Sequence, residues 1–274
     1  MPNKPKLGQN FLNDSQAVER IAASLGDLSG RTVLEIGPGD GVITSLLAAK
    51  ARHVVAVELD RELAAALRTE FPFGGNVTII ERDILSFDLA QAAANFASPG
   101  ERLCIAGNLP YYITSPILLK LAASHAVLDR AVLMVQREVA DRVTAQPGSR
   151  DYGLLSVTVQ MYGPAQSLFT LPPSAFSPPP DVHSTVFRWR FEPRFAELGV
   201  DEAGFQRFVR TAFAQKRKTL ANNLRAAGIA PAAVESALSS AGLDQKTRAE
   251  TLPAETFAVL FKALANVLSP KFIT

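Results

Sequence analysis

The sequence has almost no cysteine and no long hydrophobic segment. Its 274 residues contain one cysteine, Cys104, which excludes an internal disulfide framework and is typical of a reducing compartment. No run approaches the roughly 18 apolar residues that cross a bilayer. The basic start, residues 1–6, is not followed by the apolar stretch of a signal peptide. We therefore expect a soluble, cytoplasmic protein with no membrane partner.

Residues that bind metals are also scarce. The three histidines are far apart in the chain, and none has cysteine or acidic residues near it at the spacing of a metal site. They are most simply structural, and the sequence predicts no metal centre.

Neither sign of charge dominates, since the net charge is only +2, but the charge is unevenly distributed. Residues 201–274 carry ten Lys/Arg against six Asp/Glu, whereas residues 1–200 carry 18 against 20. A basic C-terminal segment favours a polyanionic partner. A solvated helix face would give the same modest excess.

Strand and helix patterns alternate through the first half of the chain. Apolar spacings of three and four predict helices such as Val42–Ala51 and Arg61–Phe71. The short apolar runs predicted as strands are Thr32–Ile36, His53–Glu58, Val77–Glu81, Leu103–Gly107 and Ala131–Gln136. This alternation predicts an α/β fold with a mostly parallel sheet covered by helices on both faces.

The pattern changes in the second half. Leu154–Tyr162 is compatible with helix or strand, and Gln166–Leu171 and His183–Arg190 resemble an antiparallel edge pair. Between that pair lies a stiff loop with five prolines, Leu171–Pro180. The segments predicted as C-terminal helices are Phe205–Ala214, Leu220–Ala227, Ala232–Ala241 and Pro253–Leu268. We therefore predict a domain of residues 1–200 and a small all-α domain of residues 201–274, with a hinge near Gly199.

A glycine-rich loop, residues 35–41, follows the first predicted strand. Gly37 and Gly39 let the backbone turn sharply and let a ligand approach it closely. The spacing differs from the G-x-G-x-x-G of dinucleotide sites, and Asp40 would repel a pyrophosphate. The loop instead favours a cofactor that presents an amino group.

Carboxylates end the next two predicted strands. Glu58 is placed to accept hydrogen bonds from both hydroxyls of a ribose, and Asp83 to accept one from the exocyclic amine of an adenine. Ligands of open α/β sheets bind at the carboxyl edge, where these strand ends meet. A surface carboxylate or a helix cap would explain either residue alone.

The fourth predicted strand ends in Asn108-Leu109-Pro110-Tyr111. Pro110 keeps Leu109 out of the α conformation, so the Leu109 carbonyl and the Asn108 side-chain oxygen can accept both hydrogens of an amino group. Tyr111 would stack on the base, and Phe176 from the proline-rich loop is a candidate for its other face. A structural Asn with a packed Tyr is the alternative.

Four segments, together with the cofactor loop, resemble the rRNA adenine N6,N6-dimethyltransferases, a branch of the Rossmann-like, class I S-adenosylmethionine (SAM)-dependent methyltransferases. These segments are residues 7–12 (LGQNFL), 108–112 (NLPYY), 176–184 (FSPPPDVHS) and 215–224 (QKRKTLANNL). The first and last of them favour the KsgA-type enzymes of the small subunit over the Erm-type enzymes of the large subunit.

The resemblance implies SAM as cofactor and two adjacent adenosines in the 3′-terminal hairpin loop of 16S rRNA as substrate, each methylated twice. The enzyme would act as a monomer on the small ribosomal subunit, with a role in its biogenesis. The implied cofactor residues are Gln9, Asn10, Leu12, Gly37, Gly39, Glu58, Asp83 and Asn108. The implied catalytic residues are Asn108, Leu109, Pro110, Tyr111 and Phe176, and the RNA contacts are Lys216, Arg217, Lys218 and Arg225.

Three alternatives stay open at this point. An Erm-type enzyme would act on large-subunit rRNA, and a non-catalytic assembly factor would share the fold without the chemistry. A DNA adenine methyltransferase would require a dedicated DNA-recognition region, and the sequence shows none.

Overall fold

The computed structural model describes residues 10–265. The strands are β1 (Phe11–Leu12), β2 (Thr32–Ile36), β3 (His53–Glu58), β4 (Val77–Glu81), β5 (Leu103–Asn108), β6 (Leu128–Gln136), β7 (Ala165–Leu171), β8 (Phe176–Ser177) and β9 (Ser184–Arg190). The helices are α1 (Ser15–Ser24), α2 (Val42–Lys50), α3 (Arg61–Glu70), α4 (Leu89–Phe96), α5 (Thr114–Ala123), α6 (Arg137–Thr144), α7 (Leu154–Tyr162), α8 (Phe195–Leu198), α9 (Glu202–Ala212), α10 (Leu220–Ala226), α11 (Pro231–Ser240) and α12 (Ala254–Leu264).

Seven strands form one sheet in the order β4-β3-β2-β5-β6-β9-β7. The five strands from β4 to β6 are parallel, and β9 lies antiparallel between β6 and β7. The predicted α/β sheet with helices between its parallel strands is confirmed, as is the antiparallel pair at its edge. The ambiguous segment 154–162 is helix α7.

The sheet core follows from strand composition and helix capping. Every residue of β2 is buried, as expected for a central parallel strand covered on both faces. Asp14, Asp60 and Asp88 cap α1, α3 and α4 through side-chain oxygens that accept backbone N–H bonds. These caps fix where each connection leaves the sheet and enters its helix.

The chain forms two compact units, and they do not divide at residue 200. The first unit contains the described residues up to 140 together with 165–191; the second contains 141–164 and the described residues from 192 onward. Residues 165–191 belong to the first unit because β7 and β9 complete the sheet beside β6. The predicted hinge residue Gly199 ends α8 inside the second unit, with φ of +62°.

The second unit is helical, and its core is aromatic. Phe205 and Phe208 of α9 pack on Phe261 of α12, with ring centroids 5.9 and 5.7 Å apart. Helix α7 belongs here: the Tyr162 hydroxyl donates to a Glu202 carboxylate oxygen at 2.7 Å. This bond would have been difficult to foresee from sequence, because the two residues lie on either side of β7 and β9.

Candidate active site

A cleft with an empty volume of about 720 Å³ opens at the carboxyl edge of the sheet in the first unit. The lining residues come from β1 and the residue before it, the glycine-rich loop, the start of α2, the end of β3, and the end of β5 with the turn after it: Asn10, Phe11, Leu12, Gly37, Pro38, Gly39, Asp40, Val42, Ile43, Glu58, Asn108, Leu109, Pro110 and Tyr111. Predicted site residues that are far apart in the sequence therefore lie close together in the structure.

The glycine-rich loop requires glycine at two positions in the cleft wall. Gly37 and Gly39 have φ of +65° and +60°, a region that side chains with a Cβ avoid. A Cβ on Gly39 would also lie 3.2 Å from the ring of Phe11. The loop thus presents bare backbone to the cleft.

Glu58 is fixed at the end of β3 by the backbone. Its two carboxylate oxygens accept hydrogen bonds from the N–H groups of Gly39 at 3.1 Å and Asp60 at 2.8 Å. The residue is only 4% exposed, and this burial raises the pKa of its carboxyl. Each oxygen keeps a further lone pair for a ligand hydroxyl.

A second cleft, of about 460 Å³, shares Gly37, Glu58 and Pro110 with the first. Its walls are largely apolar, from Leu59, Ile84 and Tyr112, with Asp83 at one side. An Asp83 carboxylate oxygen accepts from the Leu85 N–H at 2.8 Å, which orients the side chain. A polar group beside apolar walls suits a flat heterocycle with an exocyclic amine.

Asn108 ends β5 at the mouth of the first cleft. Its side-chain Nδ2 donates to the backbone carbonyl of Asn10 at 3.0 Å. Because a carbonyl only accepts, this bond fixes which end of the amide is nitrogen and leaves Oδ1 as the atom free to turn toward a ligand. The residue just before β1 therefore orients a side chain 98 positions away.

The residues after Asn108 are held by their own contacts. The Leu109 N–H donates to the Met134 carbonyl of β6 at 2.9 Å, and the Tyr111 hydroxyl lies 2.6 Å from Oγ of Ser184 on β9. Burial raises the pKa of Tyr111. Among the described residues, we find no hydrogen bond donated to the Leu109 carbonyl. The turn therefore carries an acceptor beside Asn108 and an anchored ring.

Phe176 is not brought into the cleft. Its side chain is 3% exposed and packs in the hydrophobic core with Leu12, its partner in the β1–β8 pair. The predicted stacking of Phe176 on a substrate base is therefore not supported, because the ring is buried among apolar side chains and does not line the cleft. Gln9 lies outside the described residues.

Glu35 and Thr44 form a buried pair under the glycine-rich loop that was not predicted. The Thr44 hydroxyl donates to a Glu35 carboxylate oxygen at 2.6 Å, and burial raises the pKa of Glu35 to about 7. The carboxylates of Glu58 and Asp40 add to this shift. The sequence signal that could have indicated this pair is Glu35 itself, a charged residue inside an otherwise apolar strand.

The predicted RNA-contacting residues have two different environments. Lys216, Arg217 and Lys218 are exposed in the loop between α9 and α10, rather than on a helix. Arg225 is paired instead, with Glu235 at 2.9 Å, so its charge is largely compensated. A residue that sequence reasoning missed, the buried Asn223, donates to the Ala212 carbonyl at 2.7 Å and to that of Gln215 at 3.3 Å, and thereby holds the start of this basic loop.

Within the described residues there is no cluster of His, Cys, Asp and Glu that could bind a metal. None of the helices in residues 10–265 is both long enough and apolar enough to cross a bilayer.

Known proteins resemble this chain along nearly its whole length. The family model described as "Ribosomal RNA adenine dimethylase" matches residues 2–266. Proteins named "Ribosomal RNA small subunit methyltransferase A" are similar: that of Acidobacterium capsulatum is 56% identical, covering 96% of this chain and 92% of its own, and that of Koribacter versatilis is 51% identical, covering 95% and 94%. Among solved structures, the 23S rRNA methyltransferase ErmE is 27% identical with a TM-score of 0.70, covering 93% of this chain and all of its own.

Proposed function

Because the chain belongs to the ribosomal RNA adenine dimethylase family, we propose that it methylates N6 of two adjacent adenosines in the 3′-terminal hairpin loop of 16S rRNA. Each adenosine receives two methyl groups from SAM, with S-adenosylhomocysteine as the other product. The proposal includes a cytoplasmic monomer that acts on the small ribosomal subunit. The names of its relatives, which refer to the small subunit, support the choice of substrate.

One observation carries the proposal: the oriented amide of Asn108 beside the Leu109 carbonyl. The Asn10 carbonyl fixes the Asn108 nitrogen, so the side-chain oxygen and the Leu109 carbonyl form a pair of neighbouring acceptors at the cleft. Two acceptors match the two hydrogens of an exocyclic amine. A base without an amino group at that position could not satisfy both.

The residues of the two clefts fit SAM. Of the described residues that line the first cleft, none is basic, while Asp40 and Glu58 are acidic, which suits a cationic amino acid moiety and a ribose. The bare backbone at Gly37 and Gly39 allows close approach, and Asp83 beside Leu59 and Ile84 suits an adenine. When bound, SAM supplies a methyl group on a positively charged sulfur.

The protein's own groups would then position and desolvate the target amine. The Asn108 oxygen and the Leu109 carbonyl would accept its two hydrogens and favour a pyramidal nitrogen whose lone pair is available. Such positioning of two reactants can supply roughly 7–11 kcal/mol in well-oriented systems. The amine proton is lost as or after the new bond forms, so the mechanism requires no histidine.

Tyr111 would receive the face of the base. Its hydroxyl is anchored on Ser184, so little side-chain freedom is lost on binding. Stacking is worth about 1–3 kcal/mol per base, which offsets part of the few kcal/mol needed to unstack a loop base. The loop of Lys216, Arg217 and Lys218 would contact phosphates of the same RNA.

The test is a methyl-transfer assay with radiolabelled SAM and small subunits whose 16S rRNA lacks the modification. We expect incorporation into N6,N6-dimethyladenosine at two adjacent positions, identified by nuclease digestion and mass spectrometry. Subunits that are already methylated are the negative control. Methylation of large subunits or of protein-free 23S rRNA instead would support the Erm-type alternative, and no incorporation with any RNA would support the assembly factor.

A further inference from the structure

The start of β9 contacts the turn after β5 through a pair of hydroxyl groups. Ser184, the first residue of β9, is fully buried, and its Oγ lies 2.6 Å from the hydroxyl of Tyr111. Tyr111 is half-buried and lines the first cleft, whereas no residue of β9 is among the described lining residues of that cleft. The contact therefore joins a side chain of the cleft wall to an element behind it.

β9 is a fixed anchor at this position. Ser184 pairs with Gln136 of β6 on one side and with Leu171 of β7 on the other, both in antiparallel register. The preceding residue is held as well, because the N–H of Arg137 donates to the carbonyl of His183 at 3.0 Å. A strand that is bonded on both sides shifts little, so Ser184 can fix the position of its hydrogen-bond partner.

Tyr111 is the one hydrogen-bond partner found for the Ser184 hydroxyl within residues 10–265. If the ring of Tyr111 turned away, a fully buried hydroxyl would lose its partner, and an unpaired buried polar group is costly. The free energy of that lost bond holds the ring in place. The position of the ring is thus defined at its hydroxyl end as well as at its Cα.

The Cα end is fixed by bonds of the turn itself. The carbonyl of Pro110 accepts from the Thr114 hydroxyl at 3.0 Å and from the Ile113 N–H at 3.2 Å. These bonds hold the backbone around Tyr111, and the Ser184 contact holds its ring. The next residue, Tyr112, differs: its side chain is 61% exposed, and within residues 10–265 we find no hydrogen bond of its hydroxyl.

We propose that Ser184 is a positioning residue for methyl transfer, which acts through the Tyr111 hydroxyl to hold the aromatic ring where the target base stacks. This inference rests on the proposed function, in which Tyr111 receives the face of the adenine. A ring that is already fixed determines where the base lies relative to the acceptors on Asn108 and Leu109. Ser184 itself is buried and would not touch the base.

The test is a double-mutant cycle of Ser184→Ala and Tyr111→Phe, assayed by methyl transfer to unmethylated small subunits. Each single variant keeps the aromatic ring and removes its hydrogen bond, so we expect kcat to fall about tenfold, because a small misplacement of a reactant is sufficient for such a loss. KM for the subunit should stay unchanged, since other contacts dock the subunit. The double variant should be no slower than either single variant, because both substitutions remove the same bond.

Thr185→Val is the matched control. Thr185 is the next residue of β9 and is also buried, and its hydroxyl lies 2.9 Å from that of Thr170. Successive residues of a strand face opposite sides of the sheet, so this substitution removes a hydroxyl bond of the same strand away from Tyr111. It should lower the midpoint of thermal unfolding and leave kcat unchanged. Calorimetric titration with S-adenosylhomocysteine should give the wild-type affinity and stoichiometry for every variant, as expected of folded protein.

A crystal structure of Ser184→Ala provides a measurement that needs no substrate. The Tyr111 ring should be displaced or adopt more than one conformation, whereas in Thr185→Val it should stay in place. A ring that does not move in Ser184→Ala overturns the proposal, whatever the activity of the protein.

The kinetic results can overturn it as well. They do so if Ser184→Ala keeps the kcat of wild type, or if the two losses multiply to about 100-fold in the double variant, because Ser184 would then act independently of Tyr111. An equal fall of kcat in Thr185→Val would also overturn it, since the loss would come from β9 as a whole. Wild type that transfers no methyl groups to small subunits would contradict the proposed function instead, and the ring position would still test the role of Ser184.

Discussion

The side chain of Asn108 donates from Nδ2 to the backbone carbonyl of Asn10 at 3.0 Å, so the residue just before β1 orients the amide that ends β5. The site therefore depends on a contact between two segments that are far apart in the sequence, with β2, β3 and β4 between them.

Asn108→Ala should abolish most methyl transfer with little loss of cofactor binding. Removing one preorganised polar group from an active site commonly costs about 10²–10³-fold in kcat. Turnover on unmethylated small subunits and calorimetric titration with S-adenosylhomocysteine measure the two effects. Asn76→Ala is the matched control, because Asn76 bonds to the carbonyls of Ala48 and Ala51 away from the cleft and should affect stability alone. Unchanged turnover in Asn108→Ala would remove the proposed role.

Glu58→Gln should weaken the binding of S-adenosylhomocysteine by tenfold or more. The amide NH₂ cannot accept a hydrogen bond from a ribose hydroxyl, so one polar group of the bound ligand would be left unpaired, and an unsatisfied buried group costs about 1–3 kcal/mol. Glu81→Gln is the control, since Glu81 lies opposite Glu58 on β4 but is exposed. Equal affinities of the two variants, measured by calorimetry, would contradict a cofactor role for Glu58.

Glu35→Gln should change the pH dependence of stability. Burial raises the pKa of this carboxyl from 4.5 to about 7 in the folded protein. Between those values the folded state keeps a proton that the unfolded chain releases, so the free energy of unfolding falls as pH rises through this window and stays lower above it.

The size of that loss, at 1.36 kcal/mol per pH unit, is about 3 kcal/mol. Urea denaturation at pH 4.5 and pH 8 should show the variant gaining this amount relative to wild type at the higher pH. A difference between the two proteins that stays constant with pH would indicate that Glu35 does not titrate in this range.

Gly107→Ala should destabilise the sheet. A Cβ at this position would lie 2.8 Å from the Ile36 carbonyl oxygen of β2, which is backbone and cannot move without shifting a central strand. Overpacking of this kind costs about 1–3 kcal/mol. Gly75→Ala is the control, because its nearest neighbour is 3.6 Å away and its φ is not positive. Thermal unfolding that gives equal midpoints for both variants would contradict the close approach.

Neutralising Lys216, Arg217 and Lys218 to Gln should weaken subunit binding and flatten its salt dependence. Each lost phosphate contact lowers the slope of log K against log salt by just under one unit. Circular dichroism should show the helices intact, because the three side chains are exposed in a loop. If the slope is the same as in wild type, these residues do not contact phosphates.

The sequence predicted the sheet well because its strands are short, apolar and bounded by turns. β2, β3 and β4 have the predicted bounds, since a buried parallel strand is read directly from its composition. The unit boundary could not be predicted in the same way. The segment just before helix α7 contacts the C-terminal part of the chain, for example through the Tyr152 hydroxyl, which donates to the Leu252 carbonyl at 2.9 Å. No local sequence pattern encodes this contact.

The site was predicted in part, for a similar reason. Motifs at strand ends located Gly37, Glu58, Asp83 and Asn108, because all parallel strands finish at one edge. Phe176 was misplaced, because a phenylalanine in a proline-rich loop gives no indication of whether it faces a ligand or the core. Side-chain direction there depends on the β1–β8 pairing.

The pairing of β1 with β8 also affects when a newly synthesised chain becomes able to catalyse methyl transfer. Phe11 lies opposite Ser177, so the first strand has no partner until the ribosome has translated past residue 177. The nascent protein can complete most of its parallel sheet before that moment, yet the carbonyl of Asn10 is not held in place. Competence for catalysis should therefore arrive late in synthesis, after the bulk of the fold.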